Sequence, residues 1–423
     1  MDAFQNNLKF IFRALRNRNY RLFFGGQSIS LIGTWMQQIA MSWLIYRLTN
    51  SPLLLGTVGF FSQIPTFLLT PFAGVCADRY PRHRIILIAQ TLSMLQAAVL
   101  ALLVLTNHIQ VWHIFGLSLV LGIVNAFDIP ARHSFTVEMI ENKADLSNAI
   151  ALNSTMFNLA RLIGPSVAGV LISLVGEGTC FLLNAISYLA VIVSLCAMRL
   201  ARRPIKPPEK RVWQELKDGF AYAYNLKPIR IILIILGASS LLGVPYQILM
   251  PVFAKEIFHG GPEILGYLMS MAGFGALLGA LYLASRPSVV GLIRICAAMS
   301  LLFGSAILIF SQSRILTLSM AMIFVSGFAI MVQMAASNTV LQTIVDEDKR
   351  GRIMSLFAMA FMGMAPFGSL LAGALAHKIG APHTVALCGL LCLAASGFFF
   401  QQLPSIRKII RPIYLHKGII PNL

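Results

Sequence analysis

Apolar residues in this chain run in blocks of about twenty, separated by short clusters of charged and turn-forming residues. The pattern predicts helices at about 22–46, 53–77, 85–106, 111–131, 149–173 and 179–198. Six more follow at about 231–254, 264–284, 295–312, 315–336, 353–376 and 384–403. These runs are too long for strands and lack the alternation of a membrane barrel, whereas roughly 20 apolar residues let a helix cross a bilayer.

Composition narrows the class. Lys+Arg number 33 and Asp+Glu 15, so only 11% of the 423 residues are charged. That is less than half of the ~25% found in soluble domains. With 57% hydrophobic residues and a mean hydropathy of +0.77, a soluble enzyme is excluded and a polytopic membrane protein remains. The net charge of +18 would suit nucleic acid, but its distribution reads as membrane topology. With the N-terminus inside, 28 of the 33 basic residues fall on the cytoplasmic side; outer loops carry Arg47, Lys255, Arg314 and Lys378, and Arg161 lies within a span. This bias places both termini in the cytoplasm, in a multi-pass protein of the inner membrane.

The expected divisions are a cytoplasmic amphipathic N-terminus (1–21), a six-helix bundle (22–198), a cytoplasmic linker (199–230), a second six-helix bundle (231–403) and a cytoplasmic basic tail (404–423). Phe4, Leu8, Ile11, Phe12 and Leu15 recur at helical spacing among basic residues, as in a helix lying on a membrane face. In the linker, Trp213, Leu216, Phe220 and Ala223/Tyr224 form a similar stripe, suited to anionic lipid. The two halves repeat: Gly122–Leu152 overlays Gly327–Phe357 at an offset of 205, and Pro52, Leu55 and Gly56 overlay Pro262, Leu265 and Gly266 at 210. The fold class expected is an all-α membrane protein with twelve transmembrane helices in two pseudo-symmetric bundles and a path between them. The six cysteines lie in or beside apolar runs without a Cys-x-x-Cys, which suits buried thiols rather than disulfides or zinc.

Between the second and third runs the chain reads Gly74-Val75-Cys76-Ala77-Asp78-Arg79-Tyr80-Pro81-Arg82-His83-Arg84. This resembles the signature loop of the major facilitator superfamily, Gly-x-x-x-Asp-Arg-x-Gly-Arg-Arg, with Pro81 in place of the second glycine. The second half keeps Arg286 but loses the aspartate. The resemblance implies a conformational latch made by Gly74, Asp78, Arg79, Arg82 and Arg84. In the fifth run, Gly164, Pro165 and Gly169 are similar to the helix-bend motif of antiporters in that superfamily, with Ala168 replacing one glycine. Asn125–Arg132, Asn148-Ala149, Arg161–Pro165 and Val212–Gly219 are similar to the drug/proton antiporter branch that holds macrolide efflux proteins and the enterobactin exporter. That branch implies proton-coupled export of a drug, macrolide or siderophore-like molecule by alternating access; an importer of a siderophore or metabolite is the alternative. It also implies a monomer.

No nucleotide-binding Gly-x-x-x-x-Gly-Lys-[Ser/Thr] or zinc-binding His-Glu-x-x-His occurs, so neither ATP drive, nor a metal or other cofactor, nor enzymatic activity is expected. The expected partners are a small-molecule substrate, protons and the bilayer with its anionic lipid, and not nucleic acid. Charges inside spans are costly and mark function. Asp128 either exchanges the coupling proton or forms a static ion pair, with Arg132, Arg79 or Arg161 beside it. Arg161 pairs either with an anionic substrate or within the protein. Gln27, Ser30, Thr34 and Gln38 make one polar stripe on the first helix, facing either the path or neighbouring helices. Gln63, Gln247 and Gln333 are further cavity candidates. The methionines of the second half, Met269 to Met364, suit either a lipophilic ligand or ordinary packing.

Overall fold

In a computed structural model, the structure describes residues 12–199, 220–286, 288–347 and 349–420. Most of the N-terminal stripe and the linker's Trp213 and Leu216 lie outside those residues. Among the described residues twelve long helical segments follow one another: α1 (Arg18–Thr49), α2 (Pro52–Arg79), α3 (Arg82–Leu105), α4 (Val111–Glu138), α5 (Leu146–Val175) and α6 (Glu177–Cys196). The second series is α7 (Lys227–Ile257), α8 (Pro262–Ala284), α9 (Leu292–Gln312), α10 (Leu316–Ile344), α11 (Arg350–Ile379) and α12 (Ala381–His416).

Eleven of these are long and apolar enough to cross a membrane. The exception is α1, whose 32 residues suffice in length but include Gln27, Ser28, Ser30, Thr34, Gln37 and Gln38. An apolar helix in lipid satisfies its own backbone groups, so side-chain polarity of this kind must be met inside the protein.

Contacts divide the chain into two compact units. The first comprises Met1–Leu48, Phe61–Glu209 and Gly261–Gly266; the second comprises Thr49–Phe60, Lys210–Gly260 and Tyr267–Leu423. Within the first, α3 packs along α4 and α6; within the second, α9 packs along α10 and α12. Equivalent helices therefore have equivalent neighbours, which is the repeat expressed in packing.

Helix crossings in each unit also close on glycine. In the first, a Cβ on Gly169 would lie 2.8 Å from Pro262 O and 3.1 Å from Gly266 Cα. In the second, a Cβ on Gly373 would lie 2.7 Å from Pro52 O and 2.8 Å from Gly56 Cα. No side chain fits at either place without moving backbone, as in other close crossings of membrane helices.

The units differ in regularity. α1 is α-helical throughout, whereas α7 changes to π-helix at Ser239–Gly243, 3-10 helix at Val244–Leu249 and π-helix again at Phe253–Ile257. Pro245 and Pro251 each remove a backbone donor there. α11 is interrupted between Met362 and Ala365. The stretch from residue 404, read from sequence as a tail, is helical: α12 continues through Pro404 and Pro412 to His416.

The chain's entry is also tied down. Arg13–Arg16 forms a 3-10 turn. Arg13 pairs with Asp145 at 3.3 Å, and Ala14 N–H donates to Asn148 Oδ1 at 3.0 Å. Buried Tyr20 donates to Ala149 O at 2.8 Å. The first helix is thus stapled to the α4–α5 connection before it enters the bundle.

Candidate functional site: a buried charge and its polar neighbours

Asp128 stands on α4, ten residues before its end at Glu138. Its side chain is 3% exposed, and both oxygens are engaged. Gln90 Nε2 on α3 donates to Oδ1 at 3.1 Å; the Arg132 guanidinium, one turn along α4, donates to Oδ2. Four-residue spacing puts Arg132 on the same helix face as Asp128. With its side chain 25% exposed, Arg132 keeps some contact with the surroundings while compensating the buried charge. Of the three arginines considered from sequence, Arg132 is therefore the partner the fold supplies.

Arg161 is on α5 and does something else. Its guanidinium lies 5.7 Å from the centre of the Trp35 ring, and Trp35 in turn meets Phe157 edge-on at 5.7 Å. Cation–π attraction of this kind stabilises a charge without neutralising it. Gly164, one turn further, lets α1 approach: a Cβ there would be 2.5 Å from Trp35 Cβ and 3.0 Å from Ile32 O. Pro165 and Gly169 are buried on the same helix.

The stripe on α1 divides. Gln27 and Ser30 are buried, whereas Thr34 and Gln38 are exposed. Gln27 Oε1 and Ser30 Oγ have no hydrogen-bond partner among the described residues, and neither has Gln90 Oε1. Buried acceptors without partners cost about 1–3 kcal/mol each. Thr34 Oγ1 donates to Ser30 O at 2.9 Å and lies 3.5 Å from Tyr188 OH.

Gln37, not singled out from sequence, links three helices. It donates to Gln96 Oε1 at 2.9 Å and accepts from Asn184 Nδ2 at 2.8 Å. A buried amide in an apolar helix, with further amides at similar depth in the third and sixth runs, was the available signal.

In the second unit Gln333 is 1% exposed and donates to Ser239 Oγ at 3.0 Å, inside the first π-segment of α7. Tyr246 OH meets Ser326 Oγ at 3.1 Å, while Gln247 is half-buried on the 3-10 segment. In the first unit Gln63 is half-buried on α2.

The signature loop spans the end of α2 and the start of α3. Gly74, Asp78 and Arg79 occupy the last turns of α2, and among the described residues nothing lies within 4 Å of a Cβ placed on Gly74. Arg79 and Arg84 are exposed. Arg82 carries the contacts: its Nη1 is 2.9 Å from Glu138 Oε1, and its Nε donates to Ala77 O at 3.2 Å. Those bonds tie the ends of α2, α3 and α4 together. Glu138 was not selected from sequence.

Among the described residues no three His, Cys, Asp or Glu side chains gather to hold a metal ion. The arrangement offers buried hydrogen-bonding and charged groups along membrane helices.

The family model described as "transmembrane secretion effector" matches residues 11–410. The chain belongs to this family of the major facilitator superfamily. As a transmembrane secretion effector it is a multi-pass membrane transporter. It is 27% identical over 388 residues to the Staphyloferrin A transporter of Staphylococcus aureus, a match covering 90% of this chain and 96% of that one. It is 24% identical to Macrolide efflux protein A of Streptococcus pyogenes, covering 91% and 95%. It is also 24% identical to the Multidrug efflux pump Tap of Mycolicibacterium fortuitum, covering 89% and 93%. Among solved structures, the nucleoside transporter NupG superposes with a TM-score of 0.70 at 13% identity, covering 91% of this chain and 99% of that one. A bacterial homolog of the human lysosomal transporter Spinster gives 0.70 at 14%, covering 93% and 98%. These likenesses establish the fold of this family member.

Proposed function

We propose that this protein is a proton-coupled secondary transporter of the inner membrane that exports a drug, macrolide or siderophore-like small molecule by alternating access. The observation that carries the coupling is Asp128: a carboxyl buried within a membrane helix, bonded to Gln90 and Arg132. Buried charge is costly, and a carboxyl can shed that cost by taking a proton. Protonation leaves Arg132 without its counter-charge and weakens the tie along α4. Coupling then consists of one proton gained by Asp128 from one side and lost to the other. Efflux is supported by the likeness to a macrolide efflux protein and a multidrug efflux pump, and a siderophore-like cargo by that to the Staphyloferrin A transporter.

The remaining roles follow on the same reading. Arg132 and Arg161 belong to the charge relay, Arg161 meeting an anionic or carbonyl-rich substrate beside its Trp35 stack. Gln27, Thr34, Gln38, Gln63, Gln247 and Gln333 line the substrate path. The unpartnered acceptors of Gln27 and Ser30 support this for the first of them. Gly74, Asp78, Arg79, Arg82 and Arg84 latch one conformation, through Arg82 and Glu138 above all. Gly164, Pro165 and Gly169 bend and seat α5. The functional bundles are 22–198 and 231–403, with 199–230 as linker. Both termini lie in the cytoplasm, in keeping with the 28 basic residues assigned to that side.

Proteoliposomes under an imposed pH gradient test the proposal, with a siderophore, a macrolide and a lipophilic cation offered in parallel. Flux of one compound that collapses with an uncoupler is expected, and its direction separates export from uptake. Asp128→Asn should reduce gradient-driven flux at least tenfold while leaving substrate exchange intact. Equal loss of both would make Asp128 structural.

A further inference from the structure

A cavity of about 480 Å³ lies in the second unit, between the start of α9 and the last turns of α12. Its floor is apolar and buried: Ile293, Ile410 and Tyr414. Its rim is cationic, with Arg294 from α9 and Arg407, Lys408 and Arg411 from α12. The spacing of the last three puts them on one helix face. All four are exposed, and among the described residues none of their side chains makes an ion pair or hydrogen bond. This contrasts with Arg13, Arg47, Arg82 and Arg132, each of which pairs with an acid in its own unit. Four cations around one cleft repel each other unless something neutralises them.

Depth identifies what does. α12 has 36 residues, so it is about 54 Å long at ~1.5 Å per residue. A hydrocarbon core of about 30 Å, entered one turn after Ala381, ends near residue 405. Arg407, Lys408 and Arg411 then stand at headgroup level, with Ile293, in the first turn of α9, at the edge of the hydrocarbon. An inorganic anion would leave that floor unused. A molecule with a phosphate head and an apolar tail satisfies both surfaces.

We propose that this cleft is a binding site for the headgroup of an anionic phospholipid, which docks α12 against the α8–α9 connection. The phosphate meets the arginine and lysine heads, and the glycerol and upper acyl atoms cover Ile293. Lys and Arg beside an anionic membrane surface bind such lipids, and a cleft with an apolar floor makes the attraction local.

Native mass spectrometry of the full-length protein in detergent, titrated with phosphatidylglycerol or phosphatidylcholine at constant ionic strength, tests this. R407Q/K408Q/R411Q should weaken phosphatidylglycerol retention at least tenfold, and R294Q, on the other helix, should weaken it in the same direction. R407K/R411K should retain it. R16Q/R18Q/R21Q removes three exposed charges elsewhere and should leave it near wild type. Equal weakening by the two triple variants would show diffuse attraction and overturn the site. Equal retention of phosphatidylcholine, or full displacement of the lipid by millimolar inorganic phosphate, would overturn the lipid assignment.

Discussion

At one place in the repeat the first unit carries Asp128 and the second, 205 residues later, Gln333. Both side chains are buried on the fourth helix of their unit, and both bond to a neighbouring helix: Asp128 to Gln90 on α3, Gln333 to Ser239 on α7. The same offset takes Arg132 to Ser337, which donates to Cys296 at 3.6 Å instead of holding a carboxylate. One unit therefore keeps a buried charge and its counter-charge where the other keeps neutral hydrogen bonds. A neutral pair is indifferent to pH in the physiological range. On the proposed coupling, the buried carboxyl held by a guanidinium is the group on which the proton gradient acts. Division of labour is the lesson: equal scaffolds, with the buried ion pair in one.

That comparison is tested most severely by removing the counter-charge. Arg132→Met leaves Asp128 buried without its cation, and should cost about 3 kcal/mol or more. Gln333→Leu breaks only a neutral bond and should cost about 1 kcal/mol. The readout is thermal unfolding of the purified protein in detergent. Adding Asp128→Asn to Arg132→Met should restore more than half of the loss, because the orphaned charge is then gone. Equal losses for the two single variants would mean that the charge carries no special cost and that the units are equivalent there.

Where the units are alike, they should fail alike. Gly169 and Gly373 sit at corresponding crossings, and each Cβ would meet backbone at 2.8 Å or less. Gly169→Leu and Gly373→Leu should each cost about 1–3 kcal/mol through overpacking and reduce transport at least tenfold. A large effect in one unit only would show that the crossings are not equivalent.

What could be read from the sequence follows the same division. The spans were legible because lipid demands about twenty apolar residues each, and the repeat because Gly122–Leu152 and Gly327–Phe357 keep constant spacing. Asp128 stood out since a charge in such a run has no cheap explanation. Irregular backbone was not legible: nothing in Ser239–Gly243 announces a π-segment, and only the fold brings Gln333 to Ser239. The helical end of α12 was hidden by Pro404, Pro412 and four basic residues, which read as a solvated tail. Lys417 shows why the helix persists, since it donates to Thr343 O at 2.7 Å and Val345 O at 3.2 Å. Gln37 was passed over beside Gln38, although neighbours on a helix point about 100° apart and only Gln37 turns inward. Glu138 was missed because a lone acid at a helix end looks like surface, until Arg82 is placed beside it.

The smallest difference lies where each unit's fourth helix ends. In the first, Arg82 holds Glu138, with both side chains largely buried. In the second, Asp346 accepts from Lys349 Nζ at 3.2 Å and from Tyr222 OH at 3.2 Å, but is 57% exposed. The Lys349 ammonium, followed by the Tyr222 hydroxyl, holds the Asp346 carboxyl below the usual carboxylate range. Partial burial, followed by the Asp346 charge, raises the Tyr222 phenol. The two signs bound a window. The Asp346 contribution is present above the ordinary carboxylate value near ~4 and fades as pH falls through the depressed folded value. The Tyr222 contribution is complete below ~10 and fades as pH rises through the elevated one. Solvent screening keeps both small. Asp346→Asn should therefore lower the unfolding temperature by about a degree or less at pH 7, and by progressively less as pH falls below ~4. A loss that does not shrink with acidification below ~4 would mean that Asp346 acts through packing and not through its charge. The ends of α4 and α10 would then differ in shape rather than in electrostatics.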